Sequence, residues 1–156
     1  MLKTKTKERM RFPLLLRKAW FSLNQAFRER LSHTGLTPAQ FTALRWLWES
    51  SPESLSQREL ADLTASNPNN VADLVERLER KGRIRRERDV NDSRRKVLSL
   101  TNQGLEAYAE ARGEALSLQE EVLGAVPADE REEFLALLAR INENLSREAE
   151  ASAASS

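Results

Sequence analysis

The sequence predicts an all-α protein with a small two-stranded β wing, in which a winged helix-turn-helix lobe is joined to a helical dimerisation region. Three observations carry this. Between Leu55 and Thr101, two short amphipathic segments flank a tight turn and lead into a basic hairpin pattern. On either side, residues 12–36 and 102–148 hold apolar seams at helical spacing. Five glycines and five prolines in 156 residues are too few for a loop-rich or all-β chain.

In chain order, residues 1–11 are basic, lack an apolar period and are expected to form a flexible arm. Pro13 is expected to open a helix running to about Ser32, with Leu16, Trp20, Leu23, Phe27 and Leu31 as its seam and Gly35 as its stop. Thr37-Pro38-Ala39-Gln40 combines capping-box spacing with an N1 proline, and starts a helix through Phe41, Leu44, Leu47 and Trp48 to about Ser50. Ser51 to Ser54 form a polar connector. Ser56 and Glu59 then make a second capping box, opening a two-turn helix through Leu60 and Leu63 to near Thr64. Asn67-Pro68 starts the next helix, whose stripe is Val71, Leu74, Val75 and Leu78 and whose stop is Gly82.

Residues 83–89 and 94–100 read as strands around the turn Val90-Asn91-Asp92-Ser93, closing a lobe that spans 37–101. Thr101 to Gly104 begin a third long helix, with Leu105, Tyr108, Ala109, Ala115, Leu116, Val122 and Leu123 on its apolar side. Pro127 interrupts it. Asp129, Glu130, Glu132 and Glu133 load the first turn of a last helix, which Phe134, Leu137, Leu138, Ile141 and Leu145 make amphipathic. Residues 149–156 are small and polar and are expected to be a flexible tail.

Composition narrows the function. Net charge is only +1, but residues 77–96 hold ten bases against four acids, whereas residues 101–156 hold four bases against twelve acids. The charge is polarised, and the basic stretch suits a phosphate backbone. With no cysteine, disulfides, thiolate zinc sites and thiol redox chemistry are excluded. One histidine, His33, and five scattered glycines supply no zinc site, P-loop or dinucleotide fingerprint, so no catalytic residue, metal or cofactor is expected. No run reaches the ~18 apolar residues of a membrane span, and Phe12 to Leu16 is too short for a signal-peptide core. A cytoplasmic protein without a membrane partner is the expectation.

The second helix of the central pair turns Asn69, Asn70, Ala72, Asp73 and Arg77 away from its apolar stripe. Asn can pair with adenine, Asp can accept from the cytosine amino group, and a methyl can pack on thymine. An ordinary solvated face would look the same if the neighbouring hairpin were not so basic. Base reading is assigned to Asn69, Asn70, Ala72 and Asp73. Backbone and wing contacts are assigned to Gln57, Ser66, Arg77, Arg85, Arg94, Arg95 and Lys96, with Arg94 and Arg95 at the minor groove. The competing reading is a winged helix used only for protein contacts, which would not need an arginine-tipped wing.

The series Glu59-Leu60-Ala61, Leu74-Val75-Glu76-Arg77-Leu78-Glu79-Arg80-Lys81-Gly82, Asp92-Ser93-Arg94 and Leu98-Ser99-Leu100-Thr101 through Gly104 resembles the DNA-binding lobe of the MarR family of bacterial transcriptional regulators. The resemblance implies a homodimer formed through the N- and C-terminal helices on a pseudo-palindromic double-stranded operator. Leu16, Trp20, Leu23, Phe134, Leu138 and Ile141 are the candidate dimer residues. It also implies a small, often aromatic or phenolic, effector that releases DNA. Trp20, Phe27, Arg45, Trp46, Trp48 and Tyr108 are the candidate pocket, with Arg45 pairing a carboxylate; plain core packing and a surface salt bridge are the simpler alternatives. Absence of cysteine removes the family's peroxide-sensing branch. Ala72 and Asp73 depart from the small polar residue and following donor of many members, so the operator is expected to differ from a generic family site. Repression by blocking a promoter is the expected mode, because the chain leaves no room for a separate activation domain.

Overall fold

The computed structural model describes residues 11–154 apart from Pro52 and Ala65. Most of the basic arm therefore lies outside the described residues. Six α-helices and one antiparallel strand pair follow in order: α1 (Phe12–Leu31), α2 (Pro38–Glu49), α3 (Gln57–Leu63), α4 (Pro68–Arg80), β1 (Ile84–Arg88), β2 (Lys96–Leu100), α5 (Asn102–Leu123) and α6 (Arg131–Ala154). Two 3-10 turns, Ser32–Thr34 and Ala128–Glu130, sit after α1 and before α6. The all-α class with a β wing is thus what the chain adopts.

Local chemistry sets the boundaries. At α2 the Thr37 hydroxyl accepts from the Gln40 N–H at 3.2 Å, while the Gln40 side chain accepts from the Thr37 N–H at 3.1 Å. The same reciprocal pair closes α3, where Ser56 accepts from Glu59 N–H at 3.2 Å and Glu59 accepts from Ser56 N–H at 2.7 Å. Asn67 caps α4 by accepting from the Asn69 N–H at 2.9 Å, and Pro68 takes the N1 place. Gly35 and Gly82 hold φ of 65° and 67°, the left-handed conformation that lets the chain leave α1 and α4 without a Cβ penalty.

One compact unit extends to Leu116 and a second begins at Ser117, so the division falls inside α5. The first has a continuous core: Leu31 of α1, Leu44 of α2, Leu60 of α3, Val71, Val75 and Leu78 of α4, and Ile84 of β1 are all fully buried. Fully burying side chains of this size contributes ~1.5–3 kcal/mol each. The strands pair with Ile84 opposite Leu100, Arg86 opposite Leu98 and Arg88 opposite Lys96. A third short stretch joins the pair, because the Leu98 N–H donates to the Leu55 carbonyl at 2.7 Å.

Four local expectations change. Leu63 faces outward, because only Leu60 and Ala61 of α3 reach the core. On α5 the buried positions are Gly104, Tyr108, Ala111 and Leu118, while Leu105, Ala109, Leu116 and Val122 are exposed. Small residues set this phase: a Cβ on Gly104 would stand 1.9 Å from the Arg83 carbonyl oxygen, so the helix passes tightly over β1's entry. Asp129 and Glu130 lie in the 3-10 turn, leaving Glu132 and Glu133 in the first turn of α6. Finally, α6 continues to Ala154, beyond the 149 start expected for a flexible tail, because Arg147, Glu148, Ala149, Glu150 and Ala151 are strong helix formers.

Candidate nucleic-acid interface

Helix α4 turns Asn69, Asn70, Asp73 and Arg77 outward, all exposed, on a helix whose other side is sealed by Val71, Val75 and Leu78. Ala72 is half-buried, so its methyl stands at the edge of this face rather than on it. Asp73 and Arg77 lie one turn apart, but no ion pair joins them among the described residues. Before α4, Ser66 is exposed and its hydroxyl donates to the Thr64 carbonyl at 3.1 Å, which tightens the turn between α3 and α4. Gln57 is half-buried at the first position of α3.

The wing turn is held by two acids. Asp89 accepts from the Asn91 N–H at 2.8 Å, and Asp92 accepts from the Arg94 N–H at 3.0 Å. Asp89 N–H donates to the Arg95 carbonyl at 2.9 Å, closing the turn across its neck. Arg94 is left with an exposed side chain that has no protein partner among the described residues.

The ten bases of residues 77–96 divide into two groups. Six are engaged within the protein. Arg80 pairs with Glu76 at 2.7 Å, Arg86 with Glu79 at 3.0 Å, and Arg85 with Glu87. Lys81 and Arg83 donate to the Gly35 carbonyl at 3.4 and 3.2 Å, and Arg83 also reaches the Thr34 carbonyl at 3.3 Å. These cations satisfy the carbonyl end left after α1. Arg95 is the sixth: it pairs with Asp89 at 2.9 Å and with Glu59 of α3. Arg77, Arg88, Arg94 and Lys96 form no ion pair among the described residues.

This sorting alters the sequence assignments. Arg95 does not project from the wing tip as expected but turns back to α3, because two carboxylates outcompete solvent for its guanidinium. Arg85 is exposed but shares its charge with Glu87. Arg88, which the sequence assignments leave out, stands directly opposite Lys96 in the ladder, and like charges facing across strands are destabilising. Its only sequence signal was membership of the basic run. Electrostatics agree with the geometry. The Ser56 N–H first, and then the Arg95 guanidinium, hold the Glu59 carboxyl below its usual range. The Asn91 N–H does most to lower Asp89, with Arg95 adding to it.

The residues named for an effector pocket are only partly brought together. Phe27 meets Phe41 edge-on at 5.2 Å, Phe41 stacks on Tyr108 at 5.5 Å, and Trp48 lies 5.4 Å from Tyr108. Arg112 sits over the Trp48 ring at 5.9 Å. Trp46 packs half-buried against the core. Arg45 instead pairs with Glu49 one turn on, at 2.7 Å, and Trp20 is 65% exposed on α1. Phe41 and Arg112, members of this chain of contacts, were not among the residues expected for the pocket.

A helix-turn-helix with an outward polar second helix, a wing and unpaired cations on both defines a DNA-binding transcriptional regulator of the winged-helix class. The comparisons with known proteins fix the family. The MarR family model matches residues 36–96. The transcriptional regulator HosA of Escherichia coli O127:H6 is 31% identical over 132 residues, spanning 81% of this chain and 96% of HosA. The chain belongs to the MarR family. Among solved structures, the S. aureus MepR–DNA complex shares the fold, with a TM-score of 0.78 and 24% identity over 84% of this chain and 94% of that one. Bordetella bronchiseptica BpsR, whose DNA binding is regulated by 6-hydroxynicotinic acid, has a TM-score of 0.76 and 25% identity over 83% of this chain and 91% of its own. The family and these relatives are regulators, not enzymes.

Proposed function

We propose that the protein is a cytoplasmic homodimeric repressor that occludes promoters by binding a pseudo-palindromic operator, with two lobes in successive major grooves about 34–36 Å apart. The observation that carries this is the set of unpaired cations Arg77, Arg88, Arg94 and Lys96 flanking the outward Asn69, Asn70 and Asp73. Arg94 enters or grips the minor groove, Arg77, Arg88 and Lys96 hold phosphates, and the two asparagines with Asp73 read bases. Gln57 and Ser66 position the turn on the backbone. An acid on that face favours an operator that offers a cytosine amino group opposite Asp73.

The dimer reading is supported by the apolar residues that face outward on α1 and α6. Leu16, Trp20 and Leu23 are exposed on α1, as are Phe134 and Leu138 on α6, with Ile141 half-buried beside them. Exposed seams of this size seldom stay wet. A small aromatic anion that releases DNA is the effector reading, supported by the Phe27–Phe41–Tyr108–Trp48 contacts and by similarity to BpsR. Because Arg45 is engaged with Glu49, Arg112 beside Trp48 is the better placed cation for a carboxylate.

The test is titration of the purified protein on a duplex from its own upstream region against salt, beside a random duplex. Tight, selective binding with a steep negative slope is expected. Weak binding that ignores sequence, at every salt concentration and across genome-selected fragments, would instead favour a winged helix used for protein contacts.

A further inference from the structure

Besides the burial of Ile84, Val97 and Leu98, three polar contacts among the described residues fasten the wing to the rest of its lobe. Midway along the ladder, where Arg86 stands opposite Leu98, the Leu98 N–H bonds to the Leu55 carbonyl, and Arg86 pairs with Glu79 of α4 at 3.0 Å. The third is farther out, where Arg95, next to the tip residue Arg94, reaches Glu59 on α3. Arg95 lies three steps along the extended chain from Leu98, roughly 10 Å at ~3.3 Å per residue. Fastened only up to the middle of its ladder, a hairpin can swing its outer half about that point, and a fastening this far out removes the swing. The Glu59 oxygen that takes Arg95 is the same one that closes the capping box on Ser56. The start of the helix-turn-helix and the outer wing therefore share one carboxylate. Asp89 grips the other side of the same guanidinium at 2.9 Å and makes Arg95 part of the turn that presents Arg94.

We propose that Glu59 and Arg95 are positioning residues for DNA binding: their ion pair fixes the distance from recognition helix to wing tip before DNA arrives, and Arg95 itself contacts no phosphate. This rests on the reading of the wing as a DNA contact. It differs from the assignment that composition suggests, in which Arg95 is one more cation for the backbone, and the two make opposite predictions for Glu59. If Arg95 touched phosphate, neutralising Glu59 would free it and tighten binding. As a latch, the same change loosens the wing and lowers the fraction of protein ready to bind, which weakens apparent affinity in proportion.

The experiment uses the full chain with Glu59→Gln, Arg95→Met and the double variant, titrated against salt on the selected operator. Glutamine is accepted at this capping-box position, so Glu59→Gln keeps α3 closed while removing the charge. Each single variant is expected to bind about three- to tenfold more weakly with the wild-type salt slope. The double variant is expected to lose no more than either single, as coupled partners do. In the free protein, amide hydrogen exchange in β1 and β2 is expected to quicken in both single variants. Tighter or unchanged binding in Glu59→Gln, together with a slope about 0.9 shallower in Arg95→Met, would overturn the latch and make Arg95 a phosphate contact. Unchanged wing exchange in Glu59→Gln would overturn it as well. Should wild-type protein fail to bind any operator, the DNA reading falls, and the exchange comparison alone decides whether the latch exists.

Discussion

The two compact units meet the same physical problem with opposite results. In the unit ending at Leu116, apolar residues from five helices and the wing converge, and seven of the largest are fully buried. In the unit from Ser117 onward, Leu118 is the one buried apolar side chain among the described residues, and Phe134, Leu135, Leu137, Leu138 and Leu145 are 41–56% exposed. Both have amphipathic sequences. The difference is that the lobe within the first unit encloses a core of its own, whereas the second unit, like the outer face of α1, leaves most of its apolar stripe exposed. On the proposed reading, DNA contact belongs to the closed lobe and assembly to the exposed stripes of α1 and α6.

Breaking the second unit tests this most severely. Leu138→Asp puts a charge into the proposed dimer seam and is expected to give a monomer by sedimentation equilibrium whose lobe still unfolds cooperatively. Losing the linked second half-site is expected to cost 10²–10⁴ in operator affinity. A dimer of unchanged affinity would show that α6 is not the seam. The converse break lies at Gly104. Its alanine variant drives a Cβ into the Arg83 carbonyl, and neither atom is the end of a flexible side chain. A loss of about 3 kcal/mol in lobe stability is expected from overpacking of this kind, read from the denaturant midpoint. An unshifted midpoint would mean that α5 can lift off β1 at no cost.

How far this contrast was legible depends on the distance over which each feature is encoded. The caps at Thr37 and Ser56, the Asn67-Pro68 start and the glycine stops at 35 and 82 involve neighbours within a few residues, and the sequence marks them correctly. The phase of α5 was missed because hydropathy overlooks Gly104 and Ala111, whose value lies in being small. The ion pair of Arg95 was not legible because its partner Glu59 is 36 residues away. Composition counts ten bases alike; only the fold separates Arg94, unpaired among the described residues, from Arg83, which closes the end of α1. The exposed seams of α1 and α6 were legible as apolar stripes, but a stripe does not say whether its partner is in the same chain.

Within the lobe, the comparison sharpens to base reading against backbone grip. Asn70→Ala is expected to relax preference at one operator position by about 1–3 kcal/mol, with the salt slope intact. Arg94→Ala is expected to weaken all sequences alike and to shallow the slope by about 0.9. Competition titrations on single-base operator variants at several salt concentrations separate the two. If Arg94→Ala changes sequence preference and leaves the slope alone, the wing reads bases and the division of labour fails.

The smallest expected effect is the response of the wing to acid. Glu59 and Asp89 both have carboxyls held below their ordinary values in the folded lobe, chiefly by the N–H groups of Ser56 and Asn91 and secondarily by Arg95. A carboxyl lowered on folding contributes stability that is fully present above its unfolded pKa, about 4. That contribution fades as pH falls from there through the lowered folded value. The wing is therefore expected to keep its attachment unchanged from neutrality down to about pH 5. Below that, its amides are expected to exchange faster before the core of the same lobe opens. Glu59 is exposed and screened by solvent, and Asp89, though half-buried, sits in a surface turn, so the effect is modest. Hydrogen exchange followed across this range, corrected for intrinsic rates, should show the β1 and β2 amides separating from those of α2 as acid is added. Loss of protection in both at one pH would mean that the wing has no acid-sensitive fastening of its own.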